Sequence, residues 1–415
     1  MPTLARAEQL LSHDEVRAIV GDGLDQMDLA GKRVLTIIPD GTRTVPMPLL
    51  FETIQERLRS RAARLDFLVA LGTHRPMTDD QLSRHLGREV RNGVAEGSHI
   101  LNHHWSDREA FVDLGTIPGS EIAKLTGNVS REDVRVGLNR MILDYDHLLI
   151  CGPVFPHEVA GFSGGTKYLF PGIAAPEIIH FTHWLGALAT SYEIIGRRDT
   201  PVRRVIDRAA QMVPRPHSLI GLVTAPGDQV AGVFCGPTAN AWEAAADLSS
   251  QRHIIWTKKP YQRVLAVMPE MYEDLWTGAK GMYKTEPAIA DGGEVVIYAP
   301  HIREVSYVHG RMIEEIGYHC RDYFLAQWKK FGHYPGGILA HSTHVKGQGT
   351  YDAATGVETP RIKVTLATGI PEERCRKISL GYADPASIDV QQWRAHQEDG
   401  WLVVPRAGEM LYRLL

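Results

Sequence analysis

The sequence predicts an α/β fold with two domains, each built on a mostly parallel sheet flanked by helices. Three observations lead to this prediction. A chain of 415 residues is too long for one typical hydrophobic core. In its first part, short continuous apolar runs alternate with amphipathic segments, as is typical of strands buried on both faces of a parallel sheet. After Arg252 a second series of apolar runs begins, beyond a linker at 257–260.

The first series of apolar runs gives the expected strands of the first domain. These strands are expected at 34–38, 65–71, 147–151, 218–223 and 229–235. Helices are expected at 49–58, after the capping-box sequence at 78–81, and at 176–188, where proline stands in the first turn. In a sheet of this kind, ligands bind beyond the carboxyl ends of the strands.

The domain boundaries follow from the change of pattern. We expect a first, catalytic domain at 1–257 and a second α/β domain at 258–399 that closes a cleft over it, with the active site in that cleft. Apolar runs at 263–268, 294–299, 337–340 and 362–366 continue the second domain. A last run at 401–404 suggests that residues 400–415 return to the first domain.

Composition excludes several classes of protein. A net charge of -4 argues against nucleic acid or an anionic membrane as the main partner. No apolar stretch is long enough to span a bilayer, and the first residues contain no signal-peptide core, so a cytoplasmic location is expected. The four cysteines form no CxxC pair, and we expect them to be reduced and buried.

Polar residues follow three of the expected strands. Asp40 and Arg43 follow the first, His74 the second and His157 the third. An arginine in such a place can hold a carboxylate by two hydrogen bonds, and a histidine can transfer protons near neutral pH. The alternative for Asp40 is a turn or helix cap. The convergence of these residues at one sheet edge predicts an active site there.

The short segment with the most groups that could bind or react with a ligand is the run Gly-Phe-Ser-Gly-Gly-Thr-Lys at 161–167. It matches neither the Walker A motif nor GxGxxG, yet glycines allow backbone N–H groups to approach an anion, and Lys167 adds a charge or a nucleophilic amine. A tight turn with a solvated lysine is the alternative. Further along, His180 and His183 lie on one face of an expected helix, where one can bind a metal while the other packs.

Three motifs carry a resemblance to a known family. They are DGTRTVP at 40–46, GTHRP at 72–76 and PHEVAGFSGGTKYLFPGI at 156–173, the last followed by His183. With them the chain resembles the lactate racemase family, the 2-hydroxyacid racemases and epimerases that depend on a nickel-pincer nucleotide. The resemblance covers the first domain well and the second loosely.

The resemblance implies a role for each matching residue. Lys167 would carry the cofactor, pyridinium-3-thioamide-5-thiocarboxylic acid mononucleotide, covalently, and His183 would be the one protein ligand to nickel. His74 and His157 would be the paired acid/base groups, and Arg43 would anchor the substrate. The other cofactor-binding residues would be Asp40, Thr42, Gly164 and Gly165.

These implied roles make up one reaction. Inversion of a secondary alcohol by hydride transfer needs a base for the hydroxyl proton of each enantiomer, hence two histidines. The cofactor would accept the hydride and return it to the other face of the ketone, while the protein supplies position and proton transfer.

The second domain departs from the family pattern in its substrate contacts. Members that act on lactate have a Tyr-Gln-x-x-Lys pattern whose lysine helps to hold the carboxylate. Here the counterpart is Tyr-Lys-Thr-Glu-Pro at 283–287, so Tyr283 and Lys284 are the expected substrate-binding residues and lactate is not the expected substrate. Thr166 also stands where many relatives have arginine.

Alternatives to this function remain. The same cofactor chemistry could act on a sugar, a sugar acid or a polyol. A nicotinamide-dependent dehydrogenase is disfavoured because no GxGxxG follows the first strand. A cofactor carrier would not need both His74 and His157. The expected partners are a small-molecule substrate and, transiently, the enzymes that make the cofactor; no role is assigned to His341, His344 and Lys346.

Overall fold

The structure, a computed structural model, describes residues 10–415 and divides into two compact units. The first unit comprises the described residues up to Phe155, together with Phe162–Ile179 and Arg203–Arg252. The second comprises Pro156–Gly161, His180–Val202 and His253–Leu415. The chain therefore passes between the units several times, whereas the sequence predicted two contiguous blocks at 1–257 and 258–399.

Twenty strands and sixteen α-helices are found between residues 10 and 415. The strands are β1 Arg33–Ile38, β2 Arg64–Val69, β3 Val94–Ala95, β4 Ser98–Asn102, β5 Phe111–Ile117, β6 Val134–Asn139, β7 His147–Pro153, β8 Pro156–His157, β9 Gly161–Phe162, β10 His217–Ala225, β11 Gln229–Pro237, β12 Ile254–Thr257, β13 Tyr261–Val267, β14 Ile289–Ala299, β15 Gly349–Asp352, β16 Val357–Pro360, β17 Lys363–Thr368, β18 Gly381–Tyr382, β19 Trp401–Val404 and β20 Leu411–Leu414.

The helices follow the same chain order. They are α1 His13–Gln26, α2 Met47–Leu58, α3 Asp79–Leu86, α4 Gly119–Thr126, α5 Pro176–Ala189, α6 Ser191–Ile194, α7 Pro201–Ala210, α8 Thr238–His253, α9 Leu275–Gly278, α10 Lys280–Tyr283, α11 Gly310–Ile316, α12 Arg321–Ala326, α13 Trp328–Phe331, α14 Gly336–Lys346, α15 Glu372–Lys377 and α16 Val390–Ala395. The capping box expected at the start of α3 is present, with Thr78 and Gln81 exchanging side-chain and backbone hydrogen bonds.

The first unit contains a seven-stranded sheet in the order β11-β10-β7-β1-β2-β4-β3. β1 pairs in parallel with β2 and with β7, and the two antiparallel pairings lie at the sheet edges. The central strands are apolar along their length because both faces are covered, and the residues of α1, α2 and α3 that face the sheet belong to one buried cluster with it. The carboxyl ends of β1, β2 and β7 therefore lie side by side.

The second unit contains a five-stranded, fully parallel sheet in the order β18-β17-β14-β13-β19. Trp393 packs against Leu265 and Val296 on one of its faces. The two sheets confirm the predicted α/β class with mostly parallel sheets. No helix within residues 10–415 has the length and apolar character needed to cross a membrane, and all four cysteines are buried and unpaired.

One expectation about the second part of the chain was wrong. Residues 400–415 do not join the first unit, because β19 pairs with β13 and β20 pairs with β12, both within the second unit. The run at 337–340, for which the sequence indicated no type of element, is part of helix α14, buried from Gly337 to Val345. A short apolar run that is buried all round has no period that distinguishes a strand from a helix.

Candidate functional site

The first element of the site is a carboxylate–imidazole pair at the carboxyl ends of β1 and β2. Asp40 follows β1 and His74 follows β2, and the His74 Nδ1 to Asp40 Oδ2 distance is 2.5 Å. The other Asp40 oxygen accepts hydrogen bonds from the Thr42 backbone N–H at 3.0 Å and from the Thr42 hydroxyl at 2.6 Å. The sequence placed these residues at one sheet edge, and the structure joins them.

Asp40 is ionised near neutral pH. Burial of the Asp40 carboxyl raises its pKa, but the neighbouring His74, Arg43 and Thr42 lower it by more, so the pKa of Asp40 lies well below its ordinary value. An ionised Asp40 favours a proton on His74 Nδ1. In a neutral ring with that proton, the Nε2 lone pair would be available to accept another, which is the orientation that a general base needs.

Arg43 and Tyr168 complete this part of the first unit. The Arg43 guanidinium carbon lies 5.7 Å from the ring centre of Phe155. Burial raises the pKa of Tyr168, so its hydroxyl remains protonated near neutral pH. The ring of Tyr168 passes so close to β7 that a Cβ on Gly152 would lie 2.0 Å from the tyrosine oxygen. Tyr168 is therefore packed tightly beside Lys167, its neighbour in the chain.

Lys167 lies in a short 3₁₀ turn, Gly165–Tyr168, and is half-buried. The segment before it is held to β7 and to the residues that follow. The Ser163 hydroxyl donates to the Pro153 carbonyl at 3.1 Å, and the Trp242 indole N–H donates to the Ser163 carbonyl at 2.8 Å. This anchoring fixes the backbone of the turn that carries the half-buried Lys167.

Arg203 supports the same turn from α7. Its guanidinium donates to the Phe162 carbonyl at 2.5 Å and to the Thr166 hydroxyl at 3.2 Å, and it lies 4.1 Å from the ring centre of Trp242. Burial lowers the pKa of Arg203 to about 10, so it remains charged at neutral pH. The cation therefore stacks on Trp242 while holding the turn.

The two glycines before Lys167 are required by packing within the protein. Gly164 and Gly165 have φ values of 77° and 60°, in the left-handed region that favours glycine. A Cβ on Gly164 would lie 2.5 Å from Val154 Cγ2, and one on Gly165 would lie 2.8 Å from Trp242 Cδ1. The contacts of the turn itself therefore explain why glycine is found at both positions. They compete with the prediction that these glycines make room for a phosphate.

Replacing Gly165 by alanine is expected to destabilise the first unit by about 2–4 kcal/mol, because a left-handed backbone and a clash with Trp242 add together. Urea unfolding would measure the loss. Gly127→Ala is the matched control, since Gly127 has φ 62° but open space around it, and it should cost about 1 kcal/mol. Equal losses for the two variants would show that the contact with Trp242 is not tight.

His157 belongs to the second unit and is buried. Its Nδ1 accepts a hydrogen bond from the backbone N–H of Val159 at 3.1 Å. A carboxylate oxygen of Glu158 lies 3.4 Å from the same nitrogen. Because Nδ1 serves as an acceptor, the neutral ring carries its proton on Nε2. A neutral His74 ring bonded to Asp40 would instead carry its proton on Nδ1.

The two histidines of α5 have different surroundings. His180 Nδ1 accepts from the backbone N–H of Gly337 at 3.4 Å, so this ring packs on α14. His183 is half-buried and lies close enough to His341 to lower the pKa of that ring. Within residues 10–415 no group of three or more His, Cys, Asp or Glu side chains is arranged to hold a metal ion.

His341 and Lys346 of α14 have structural contacts. The His341 ring stacks on Trp276 with centres 4.0 Å apart, and its Nε2 bonds to the Trp276 carbonyl at 3.0 Å. Burial, together with repulsion from His344, His309 and His183, lowers the pKa of His341 to about 3. Lys346 donates to the Ser379 carbonyl at 2.7 Å.

Tyr283 and Lys284, the expected substrate-binding residues, are both buried in the second unit, with exposed fractions of 4% and 1%. The Lys284 ammonium donates to the Glu409 carbonyl at 2.8 Å. A lysine with this contact ties the chain's last segment to α10, because burial of an ammonium requires a partner.

The structure thus groups the expected residues by unit. Asp40, Thr42, Arg43, His74 and Lys167 belong to the first unit, and His157, His183, Tyr283 and Lys284 belong to the second. The sequence did not reveal four residues that contact the candidate site residues or the turn of Lys167: Glu158, Tyr168, Arg203 and Trp242. Glu158 and Tyr168 could have been found, since they adjoin His157 and Lys167 in the sequence. Arg203 and Trp242 stand in no local sequence pattern that indicates such a role.

Sequence comparison identifies related proteins. Residues 16–195 match the model of the lactate racemase N-terminal domain. The chain is 25% identical over 275 residues to a lactate racemase of Thermoanaerobacterium thermosaccharolyticum, covering 65% of this chain and 60% of that one. It is 27% identical over 295 residues to a lactate racemase of Lactiplantibacillus plantarum, covering 68% and 63%. The match thus spans under two thirds of the length of these relatives.

Comparison of folds gives matches over nearly the whole chain. A crystal structure of a Thermotoga maritima protein has a TM-score of 0.90 and 31% identity, with all of both chains covered. The lactate racemase apoprotein from Thermoanaerobacterium thermosaccharolyticum has a TM-score of 0.70 at 21% identity, covering 96% and 93%, which supports the fold alone. In its amino-terminal domain and in these relatives, the chain is similar to the lactate racemase family.

Proposed function

We propose that this protein is a racemase or epimerase that inverts the secondary-alcohol carbon of a 2-hydroxyacid other than lactate. The observation that carries the proposal is the Asp40–His74 pair in a chain similar to this family. The pair gives His74 a proton-accepting Nε2 at the sheet edge where ligands bind in α/β folds. Inversion through a ketone requires such a base for the substrate hydroxyl.

The chain's own residues account for proton transfer and binding. In one direction His74 Nε2 takes the hydroxyl proton, and the Asp40 carboxylate stabilises the imidazolium that forms. His157 is the second acid/base group, which returns a proton to the carbonyl oxygen when the other enantiomer forms. Arg43 has the geometry of a fork that can hold a substrate carboxylate by two hydrogen bonds. The reverse reaction exchanges the roles of the two histidines.

The residues also suit the nickel-pincer nucleotide that the family resemblance implies. Lys167 offers an amine on a turn held in place by Ser163 and Arg203, and His183 offers a half-buried imidazole in a region without a complete protein ligand set. Lys167 would hold the cofactor covalently and His183 would bind its nickel. When bound, this group supplies the acceptor and donor of the carbinol hydrogen as a hydride.

A second candidate substrate class is favoured by Lys284. In this chain the Lys284 ammonium is bonded to the Glu409 carbonyl, so it is not in a position to hold a substrate carboxylate at the place where lactate-specific members have their lysine. A larger sugar acid, or a sugar or polyol, would depend less on that contact. A nicotinamide-dependent dehydrogenase gains no support from the turn after β1, which contains the single glycine Gly41.

The test is a screen in D₂O of protein coexpressed with the cofactor-making enzymes, using enantiopure 2-hydroxyacids, sugar acids and polyols. We expect inversion without deuterium at the carbinol carbon, because the hydrogen moves as a hydride. We also expect nickel in the sample and a mass adduct on the chain. Lys167→Arg should abolish both the adduct and turnover, whereas the exposed Lys124→Arg should change neither.

The alternatives give different results. Inversion with deuterium incorporated at carbon would indicate proton abstraction and would exclude the proposed reaction. An adduct and nickel without turnover of any compound would favour a cofactor carrier. Turnover by Lys167→Arg at the wild-type rate would exclude a covalent tether at this position.

A further inference from the structure

We propose that Glu158 is a positioning residue that stabilises the protonated form of His157 and so makes its Nε2 the proton-transferring atom. The proposal rests on the proposed function, in which His157 is the second acid/base group. It starts from the two groups that meet His157 Nδ1. One is the Val159 backbone N–H at 3.1 Å, and the other is the Glu158 carboxylate at 3.4 Å.

These two neighbours favour different protonation states of Nδ1. A backbone N–H requires a lone pair on Nδ1, whereas a carboxylate favours a proton there. At 3.4 Å the Glu158 contact is longer than a charge-assisted hydrogen bond, which is typically about 2.7–2.9 Å. The arrangement is that of the neutral ring, bonded to Val159 and carrying its proton on Nε2. A ring protonated on both nitrogens would give up the Val159 bond and donate from Nδ1 to Glu158.

His74 has a carboxylate partner already in contact. Asp40 Oδ2 lies 2.5 Å from His74 Nδ1. The two proposed acid/base groups therefore differ, because a carboxylate contacts Nδ1 closely in His74 but lies farther from Nδ1 in His157. Glu158 would give His157 the support that Asp40 gives His74, but only once the ring is charged.

The proton movements balance. Solvent protonates the resting His157 at Nδ1, and the new N–H donates to Glu158. The imidazolium then gives its Nε2 proton to the substrate oxygen and keeps the Nδ1 proton, which leaves a neutral ring whose Nε2 can accept a proton in the reverse direction. Over one inversion His74 takes one proton and His157 gives one, and solvent restores both.

The surroundings of the segment allow this role. Glu158 is largely buried, with 17% of its side chain exposed, so its charge is only partly screened by water. Two elements pack on the segment: α5, where a Cβ on Gly186 would lie 3.1 Å from Val159, and the loop at 196–200, where the Thr200 hydroxyl donates to the Ala160 carbonyl. The charged or titratable side chains on these elements are Glu177, His180, His183, Arg197, Arg198 and Asp199, of which Arg197 is paired with Glu193.

The first experiment is NMR of the purified full chain labelled with ¹⁵N-histidine, with the His157 signals assigned from His157→Gln. At neutral pH we expect the ¹⁵N shifts of a ring protonated on Nε2. Glu158→Gln should lower the titration midpoint of His157 by about one pH unit, because an opposite charge next to the ring is lost. Glu158→Asp should fall between the two. The exposed Glu177→Gln is the control on α5 and should leave the midpoint unchanged.

The second readout is turnover of the substrate found in the screen. Glu158→Gln should lower kcat at least tenfold with KM within threefold, since the residue acts on the proton and not on binding. A midpoint that moves by less than 0.2 pH units, or a kcat unchanged by Glu158→Gln, would overturn the proposal. If the chain turns over no substrate, the proposed function fails, while the NMR midpoint still decides whether Glu158 stabilises the charged ring.

Discussion

Replacing Asp40 by asparagine is expected to lower kcat by a factor on the order of 10³–10⁴, as removal of the carboxylate behind a catalytic histidine does in other enzymes. Asparagine keeps the size of the side chain, but its amide N–H can donate to His74 Nδ1. The ring would then carry its proton on Nε2 and could not accept another there. The measurement is steady-state turnover of the substrate found in the screen, in both directions.

The control for this variant is Asp80→Asn. Asp80 is an exposed carboxylate in the first turn of α3 and contributes nothing to the pair. Nickel content and the mass adduct should be the same in both variants, which separates loss of proton transfer from loss of cofactor. A kcat for Asp40→Asn within tenfold of the wild type would show that His74 does not act as a base oriented by Asp40.

Lowering the pH from 6.5 to 4 is expected to remove roughly 3–5 kcal/mol of stability from the first unit. Burial lowers the pKa of His103 to about 4 and that of His147 to about 4. A drop from 6.5 to about 4 corresponds to about 3 kcal/mol for His103, and the less deeply buried His147 should contribute less because water screens its charge. Since small proteins have a total stability of about 5–15 kcal/mol, a loss of this size is a large part of it.

Stability falls as the pH falls because the unfolded chain binds more protons than the folded chain. Between pH 4 and 6.5 the two rings are neutral in the folded chain and charged in the unfolded chain, so the unfolded state binds more protons. Their contribution is complete above pH 6.5 and is lost as the pH falls towards 4. His103 shows why charging is costly, because its Nδ1 meets the Asn139 amide nitrogen at 3.1 Å and its Nε2 meets the Ala174 carbonyl at 3.1 Å.

Urea unfolding at pH values from 7 to 4.5 would measure this effect. His103→Gln should be less stable than the wild type at pH 7 but should lose about 2–3 kcal/mol less on going to pH 4.5. The exposed His99→Gln should keep the wild-type pH dependence. Stability that is flat from pH 7 to 4.5 would mean that the buried rings charge without cost.

The sequence predicted the strands of the first unit well where the information is local. Continuous apolar runs marked β1, β2 and β7. The residues after these runs are the candidate site residues Asp40, His74 and His157, whose roles stay predictions. Parallel strands bring their carboxyl ends to one edge, so Asp40 and His74 meet although they are 34 residues apart. The capping box of α3 was also correct, because it depends on residues three apart in the chain.

Contacts between distant segments could not be predicted. Arg203 and Trp242 hold the turn that carries Lys167, but neither has a local pattern that distinguishes it from a surface arginine or a core tryptophan. The run at 337–340 could not be assigned to a helix or a strand from the sequence, because it is buried all round. Residues 400–415 were placed in the wrong unit because the pairing partner of a strand is decided by packing and not by its own sequence.

By itself, the amino-acid sequence determined the α/β class, the family motifs and the identity of the residues that can transfer protons. These follow from periodicity and from side-chain chemistry, which each residue carries wherever it lies. The tertiary structure alone decided which polar groups contact each histidine and each lysine. The same residue types acquire different roles here, His74 beside Asp40, His157 beside Val159 and Glu158, and Lys284 on Glu409. The reason is that protonation and pairing depend on the nearest polar atoms, and those come from segments that only folding brings together.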